Sequence, residues 1–156
     1  VKDISIDISE FQISLLYLGY GMGILVSLSS KRIIKFFKSE HNTIMFSLLF
    51  FLFIAFFLLT TNLIFLFVML FLFCIGMFTI HTVSTGLANS MKSSQKALTS
   101  GMYLSFYYFG GATGSFIPSI IYEKYGWDVM IYSFIGILFL MVLVVFKAKS
   151  LFLKVE

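Results

Sequence analysis

The sequence predicts an all-α membrane protein of five transmembrane helices. Three observations predict it. Sixty per cent of the 156 residues are hydrophobic and only 12% are charged, whereas a soluble domain carries about 25% charged residues. Twenty-one are Phe, more than an aqueous surface can hide. The apolar residues fall in runs that approach or exceed the ~20 needed to cross a ~30 Å hydrocarbon core.

The spans are Phe11–Leu28, Thr43–Leu59, Leu63–Asn89, Leu98–Tyr122 and Trp127–Phe146. The first carries Gly19, Gly21 and Gly23, and Gly19-x-x-x-Gly23 is a close-packing pattern for helices in lipid. The second is rich in Phe and Leu and lacks Gly, so its bulky surface suits lipid on most sides. Ser47 is the only polar residue between Ile44 and Leu59. Barrel strands would alternate polar and apolar residues, whereas a helix satisfies its own backbone hydrogen bonds in lipid. The third span is long, so tilt or projection beyond the membrane is expected. The fourth carries Gly110, Gly111 and Gly114, which suit close backbone approach, and Pro118, which kinks or ends regular hydrogen bonding. The fifth is bulky and apolar apart from Ser133 and Gly136.

Residues 1–10 form an external segment with Asp3, Asp7 and Glu10 against Lys2, unlike the basic start of a signal peptide. The 29–42 loop holds Lys31, Arg32, Lys35 and Lys38 against Glu40. Residues 90–97 hold Lys92 and Lys96, and the 147–156 tail holds Lys147, Lys149 and Lys154. One side of the membrane thus receives nine of the eleven basic residues, all but Lys2 and Lys124. The other receives five of the seven acidic ones, all but Glu40 and Glu156. The positive-inside rule makes the basic side cytoplasmic. The N-terminus is therefore expected outside and the C-terminus inside, in a plasma or inner membrane. An odd number of spans with an outside N-terminus predicts that earlier spans are missing from the chain.

The net charge of +4 is explained by these flanks, so no nucleic-acid partner is expected. Cys74 is the single cysteine. It permits no internal disulfide and reads as a small packing residue.

His81 is the only ionisable side chain deep in a span. Thr85, four residues on, shares its face, and Ser84 lies close to it. Intramembrane ionisable residues face a cavity or a bundle interior. His81 is thus a substrate-pathway or proton-relay residue, or a neutral partner between helices. Tyr103 and Tyr107 share a face of the fourth span and suit either a mixed cavity wall or packing. Tyr122, Tyr125 and Trp127 read as an interfacial aromatic belt. No carboxylate pair, Cys–His pair or metal-ligand cluster accompanies either histidine. No enzyme activity, cofactor or metal is expected.

Residues Gly76-Met77-Phe78-Thr79-Ile80-His81-Thr82-Val83, a basic loop, and Ala97-Leu98-Thr99-Ser100-Gly101-Met102-Tyr103 follow in order. Then come Tyr107-Tyr108-Phe109-Gly110-Gly111, Gly114 and Gly126-Trp127. This series resembles major-facilitator transporters from the tenth to the twelfth helix, in the efflux-type, drug:proton antiporter-like branch. The whole chain then corresponds to helices eight to twelve, part of the C-terminal half. The resemblance implies two six-helix halves with alternating access between them. It implies cavity-lining eighth, tenth and eleventh helices and peripheral ninth and twelfth ones. The family's loop between helices eight and nine carries Gly, Asp and basic residues, whereas here no Asp is present. The expected function is proton-coupled export of a small organic solute, with lipid, substrate and a missing N-terminal half as partners. A small self-associating membrane structural or assembly protein is the alternative.

Overall fold

The computed structural model describes residue 14 and residues 17–60, 62–90 and 93–149. After a 3-10 turn, Tyr17–Tyr20, come five α-helices. These are α1 (Gly21–Phe37), α2 (Glu40–Phe57), α3 (Leu63–Ser90), α4 (Ser93–Tyr125) and α5 (Trp127–Lys147). The first predicted span begins within residues that lie outside the described set.

Each break has a local cause. Lys38 adopts a left-handed conformation, φ 70°, which ends α1. The Ser39 hydroxyl then accepts the Asn42 N–H at 3.2 Å and caps α2. The Asn62 side chain accepts the Phe65 N–H at 3.0 Å and caps α3 in the same way. Gly126 sits between α4 and α5 with φ 84° and ψ 178°, a region that only glycine occupies readily.

The 29–42 stretch, expected as a loop, is mostly helical. Lys31, Arg32 and Lys35 lie on the last two turns of α1, and only Lys38 and Ser39 form the link. Charge alone does not stop a helix, because Lys and Arg are good helix formers. Pro118 does not end α4, which continues to Tyr125. Three helices, α2, α3 and α5, are long and apolar enough to cross a membrane. The 17-residue α1 is short and ends in basic residues. The 33-residue α4 is long, but its small and hydroxylated residues lower its hydropathy.

The core also differs from the expectation that the Phe-rich second span faces lipid on most sides. Here α2 is the most deeply buried helix, packed against α1, α3 and α5. Its inward stripe is Thr43, Ile44, Ser47, Leu48, Phe51, Ile54 and Ala55, while Phe46, Leu49, Phe50 and Phe53 point outward. The stripe mixes small and hydroxylated positions with apolar ones, so neighbouring helices approach it closely. Ile44 and Leu48 meet Val83 of α3, and Phe51 and Ala55 meet Leu138 of α5. The α5 helix behaves as expected, burying only Ile131 and Leu138.

Two side-chain hydrogen bonds pin the α2–α5 pair at opposite ends. The Trp127 indole N–H donates to the Leu58 carbonyl at 2.8 Å. At the other end His41 Nε2 lies 3.2 Å from the Val145 carbonyl. Both acceptors are end-of-helix carbonyls without a full intrahelical complement of donors.

Much of the outer surface is bulky and apolar. Ile64 is 78% exposed, Val144 66% and Phe53 58%. A patch of that extent is unstable in water, but it is the ordinary surface of a helix in lipid.

Candidate functional site

The α3 and α4 helices meet along one contact near the end where the chain passes between them. Ser100 donates to the Asn89 side-chain oxygen at 2.8 Å. Farther along, His81 Nδ1 lies 2.8 Å from the Tyr103 hydroxyl oxygen. That hydroxyl is also 3.2 Å from the His81 carbonyl. One arrangement of protons satisfies both contacts: Nδ1–H donates to the hydroxyl, and the hydroxyl donates to the carbonyl. It leaves Nε2 as an acceptor.

The neighbouring groups follow from helical spacing. Thr85, one turn from His81, returns its hydroxyl to the His81 carbonyl at 2.7 Å. Tyr107, one turn beyond Tyr103, lays its ring against the imidazole, centroids 4.3 Å apart and planes tilted by 31°. Tyr107 remains 46% exposed, so this wall is open on one side. Thus four of the residues singled out in the sequence, His81, Thr85, Tyr103 and Tyr107, form one cluster. Ser84 is half-buried on α3 and takes no part in its hydrogen bonds.

Tyr103, Tyr107, Gly110 and Gly114 are four, three and four residues apart and share a stripe of α4. A Cβ added at Gly110 or Gly114 would meet nothing within 4 Å. The tight α3–α4 contact has therefore ended by Gly110, and beyond the tyrosines this stripe of α4 is uncovered. The other glycine pair behaves differently. A Cβ at Gly19 would come 3.2 Å from Cys74 Sγ, and one at Gly23 would come 2.9 Å from the Phe78 ring. Gly19 and Gly23 thus face α3 at close range, while a Cβ at Gly110 or Gly114 meets no neighbour among the described residues.

The hydroxyls of Thr99, Ser105, Thr113 and Ser115 all bond to carbonyls of their own helix, which lets α4 carry them in an apolar setting. A depression of about 810 Å³ runs along α4 beside Ala97, Gly101 and Ser105. Ser105 is two residues from both Tyr103 and Tyr107, so this depression lies on nearly the opposite face. One helix alone forms its wall, and it is separate from the His81 cluster.

A family model described as Major Facilitator Superfamily matches residues 2–152. The chain belongs to that superfamily. It is a membrane-embedded protein of the major-facilitator transporter kind. Comparison with curated proteins and with solved structures gives no match. Among the described residues no group of three or more His, Cys, Asp or Glu side chains is placed to hold a metal ion.

Sequence reasoning missed the roles of His41 and Trp127. The first was read as a loop residue and is a buried side chain of α2, and the second, read only as an interfacial aromatic, also ties two helices. The available signal for His41 was Ser39 followed by Glu40, an N-cap residue with an acidic first turn.

Proposed function

We propose that this superfamily member carries out secondary active export of a small organic solute, coupled to protons by alternating access. The observation that carries this reading is the His81–Tyr103–Tyr107 cluster. It combines the one deep ionisable side chain with two hydroxyl-bearing rings, where the α3–α4 contact ends. An imidazole changes charge near physiological pH, and Nε2 in the arrangement above is turned to accept a proton. Half-exposed tyrosine rings offer an apolar face and a polar tip to an amphipathic solute. Assignment to an efflux-type, antiporter-like branch rests on the motif series from Gly76 to Trp127.

In this reading α3 and α4 form one wall of the pathway, with His81, Ser84, Thr85, Tyr103 and Tyr107 facing it. Helices supplied from outside these five, forming an N-terminal half, complete the other wall. The unpacked Gly110–Gly114 stripe supports this, because small residues in a membrane helix allow a close neighbour. The working location is a plasma or inner membrane, with the α1–α2 link and the end of α5 on the cytoplasmic side.

The test is solute flux in cells or vesicles carrying the protein with its complementary helices. Substituting His81→Ala is expected to lower proton-driven flux at least about tenfold while membrane insertion is kept. Flux and pH dependence equal to wild type would remove His81 from the pathway.

A further inference from the structure

The end of the bundle where α1 meets α2 has a second character that transport does not use. Lys31 and Lys35 are four residues apart and stand on one side of the last turns of α1, with Arg32 beside them, and Lys38 follows in the link directly after the helix. All four are exposed. Among the described residues they form no ion pair, although Glu40 lies only two residues beyond Lys38.

Directly beside these cations is a run of aromatic rings. Phe36 is 79% exposed and meets Phe37 edge-on at 5.0 Å. Phe37 in turn stacks on Phe46 of α2, also at 5.0 Å, and Phe46 is 54% exposed. Phe46 lies two turns inside α2, so the rings lead from the charged turn toward the apolar part of the span.

We propose that this face binds an anionic phospholipid, its phosphate held by Lys31, Arg32, Lys35 and Lys38 and its acyl chain laid along Phe36, Phe37 and Phe46. Charge complementarity favours a negative partner for this cluster of exposed cations. The adjoining exposed aromatic run favours one that is apolar a short distance away. Free phosphate has the first property only, and nucleic acid lacks the long apolar chain. The helical backbone through Lys35 holds Lys31, Arg32 and Lys35 close together, and Lys38 follows within three residues, so all four are near enough to act on one headgroup. An amphipathic helix end with basic residues and exposed aromatics has the general form of an interfacial lipid contact.

The experiment is native mass spectrometry of the purified full chain with dioleoyl phosphatidylglycerol or dioleoyl phosphatidylcholine supplied in equal amounts. Wild type is expected to retain the anionic lipid in preference to the zwitterionic one. Each basic residue near an anionic headgroup contributes roughly fivefold in affinity, so K31Q/R32Q/K35Q/K38Q is expected to cut retention of phosphatidylglycerol at least about tenfold. Lys124→Gln, at the opposite end, should leave it unchanged. F36A/F46A should weaken retention while the four cations remain. Replacing the three lysines by arginine keeps the charge and should keep binding, which separates charge loss from misfolding. If the quadruple variant does not fold, the single Lys→Gln changes carry the test through graded losses. Equal retention of the two lipids by wild type, or undiminished retention by folded neutralised variants, would overturn the proposal. Full displacement by millimolar inorganic phosphate would do so as well, by showing that the phosphate group alone is bound.

Discussion

The Tyr103 hydroxyl ties α4 to both a side chain and a backbone carbonyl of α3. It bridges the His81 ring and the His81 backbone carbonyl. Tyr103→Phe keeps the ring and deletes both hydrogen bonds. Interhelical hydrogen bonds in membranes average about 0.6 kcal/mol, with some near 1.7, so the expected destabilisation is about 1 kcal/mol. A larger effect is expected on flux, because the His81 ring loses the contact that fixes its Nδ1. Thermal unfolding in detergent and solute flux, measured on the same variant, check the two effects separately; flux equal to wild type would reduce Tyr103 to packing. A second contrast concerns the glycines. Gly23→Ala places a methyl group 2.9 Å from the Phe78 ring, and overpacking of this kind costs about 1–3 kcal/mol unless the ring moves. Gly110→Ala meets nothing among the described residues and should not lower the unfolding temperature of the five-helix unit.

At the scale of the element, α2 and α5 form an antiparallel pair fastened near both ends, by Trp127 to Leu58 and by His41 to Val145. The 21 residues of α5 span roughly 30 Å at about 1.5 Å per residue, so the two fastenings are far apart. Distant, unshared contacts add within about 0.5 kcal/mol. Trp127→Phe and His41→Leu are therefore expected to destabilise independently, and the double variant to lose the sum of the two single losses. A marked departure from additivity in denaturant unfolding would show that the ends are coupled through the helix pair. The helices themselves were legible in the sequence because long apolar runs have few other uses. The burial of α2 was not. Mean composition registered its many Phe and Leu residues, but burial followed the stripe through Thr43, Ser47 and Ala55, which periodicity hides when both faces are apolar. His81, Thr85, Tyr103 and Tyr107 were legible as candidates from i, i+4 spacing. That α3 and α4 would bring the two pairs together depended on tertiary packing, which spacing within each helix does not contain.

Across the whole molecule, charge is divided between the two ends of the bundle. Lys31, Arg32, Lys35, Lys38, Lys96, Lys147 and Lys149 lie at the end that contains the α1–α2 link. Lys124 shares the other end with Glu123 and Asp128. The His41–Val145 hydrogen bond and the packing of Ile44 and Leu48 against Val83 and Leu87 bring the basic elements to that common end. Lys and Arg flanking short connections resist translocation, while acidic residues contribute little to orientation. The arrangement therefore predicts a basic end in the cytoplasm. In a background with Cys74→Ser, Lys35→Cys should resist a membrane-impermeant maleimide in intact cells and react after permeabilisation. Lys124→Cys should react in intact cells. Each substitution removes one cation of many at the basic end, or one from the acidic end, so neither reverses the imbalance that sets orientation. The opposite labelling pattern would place the α1–α2 link outside and overturn the topology, and with it a cytoplasmic leaflet as the source of the anionic lipid.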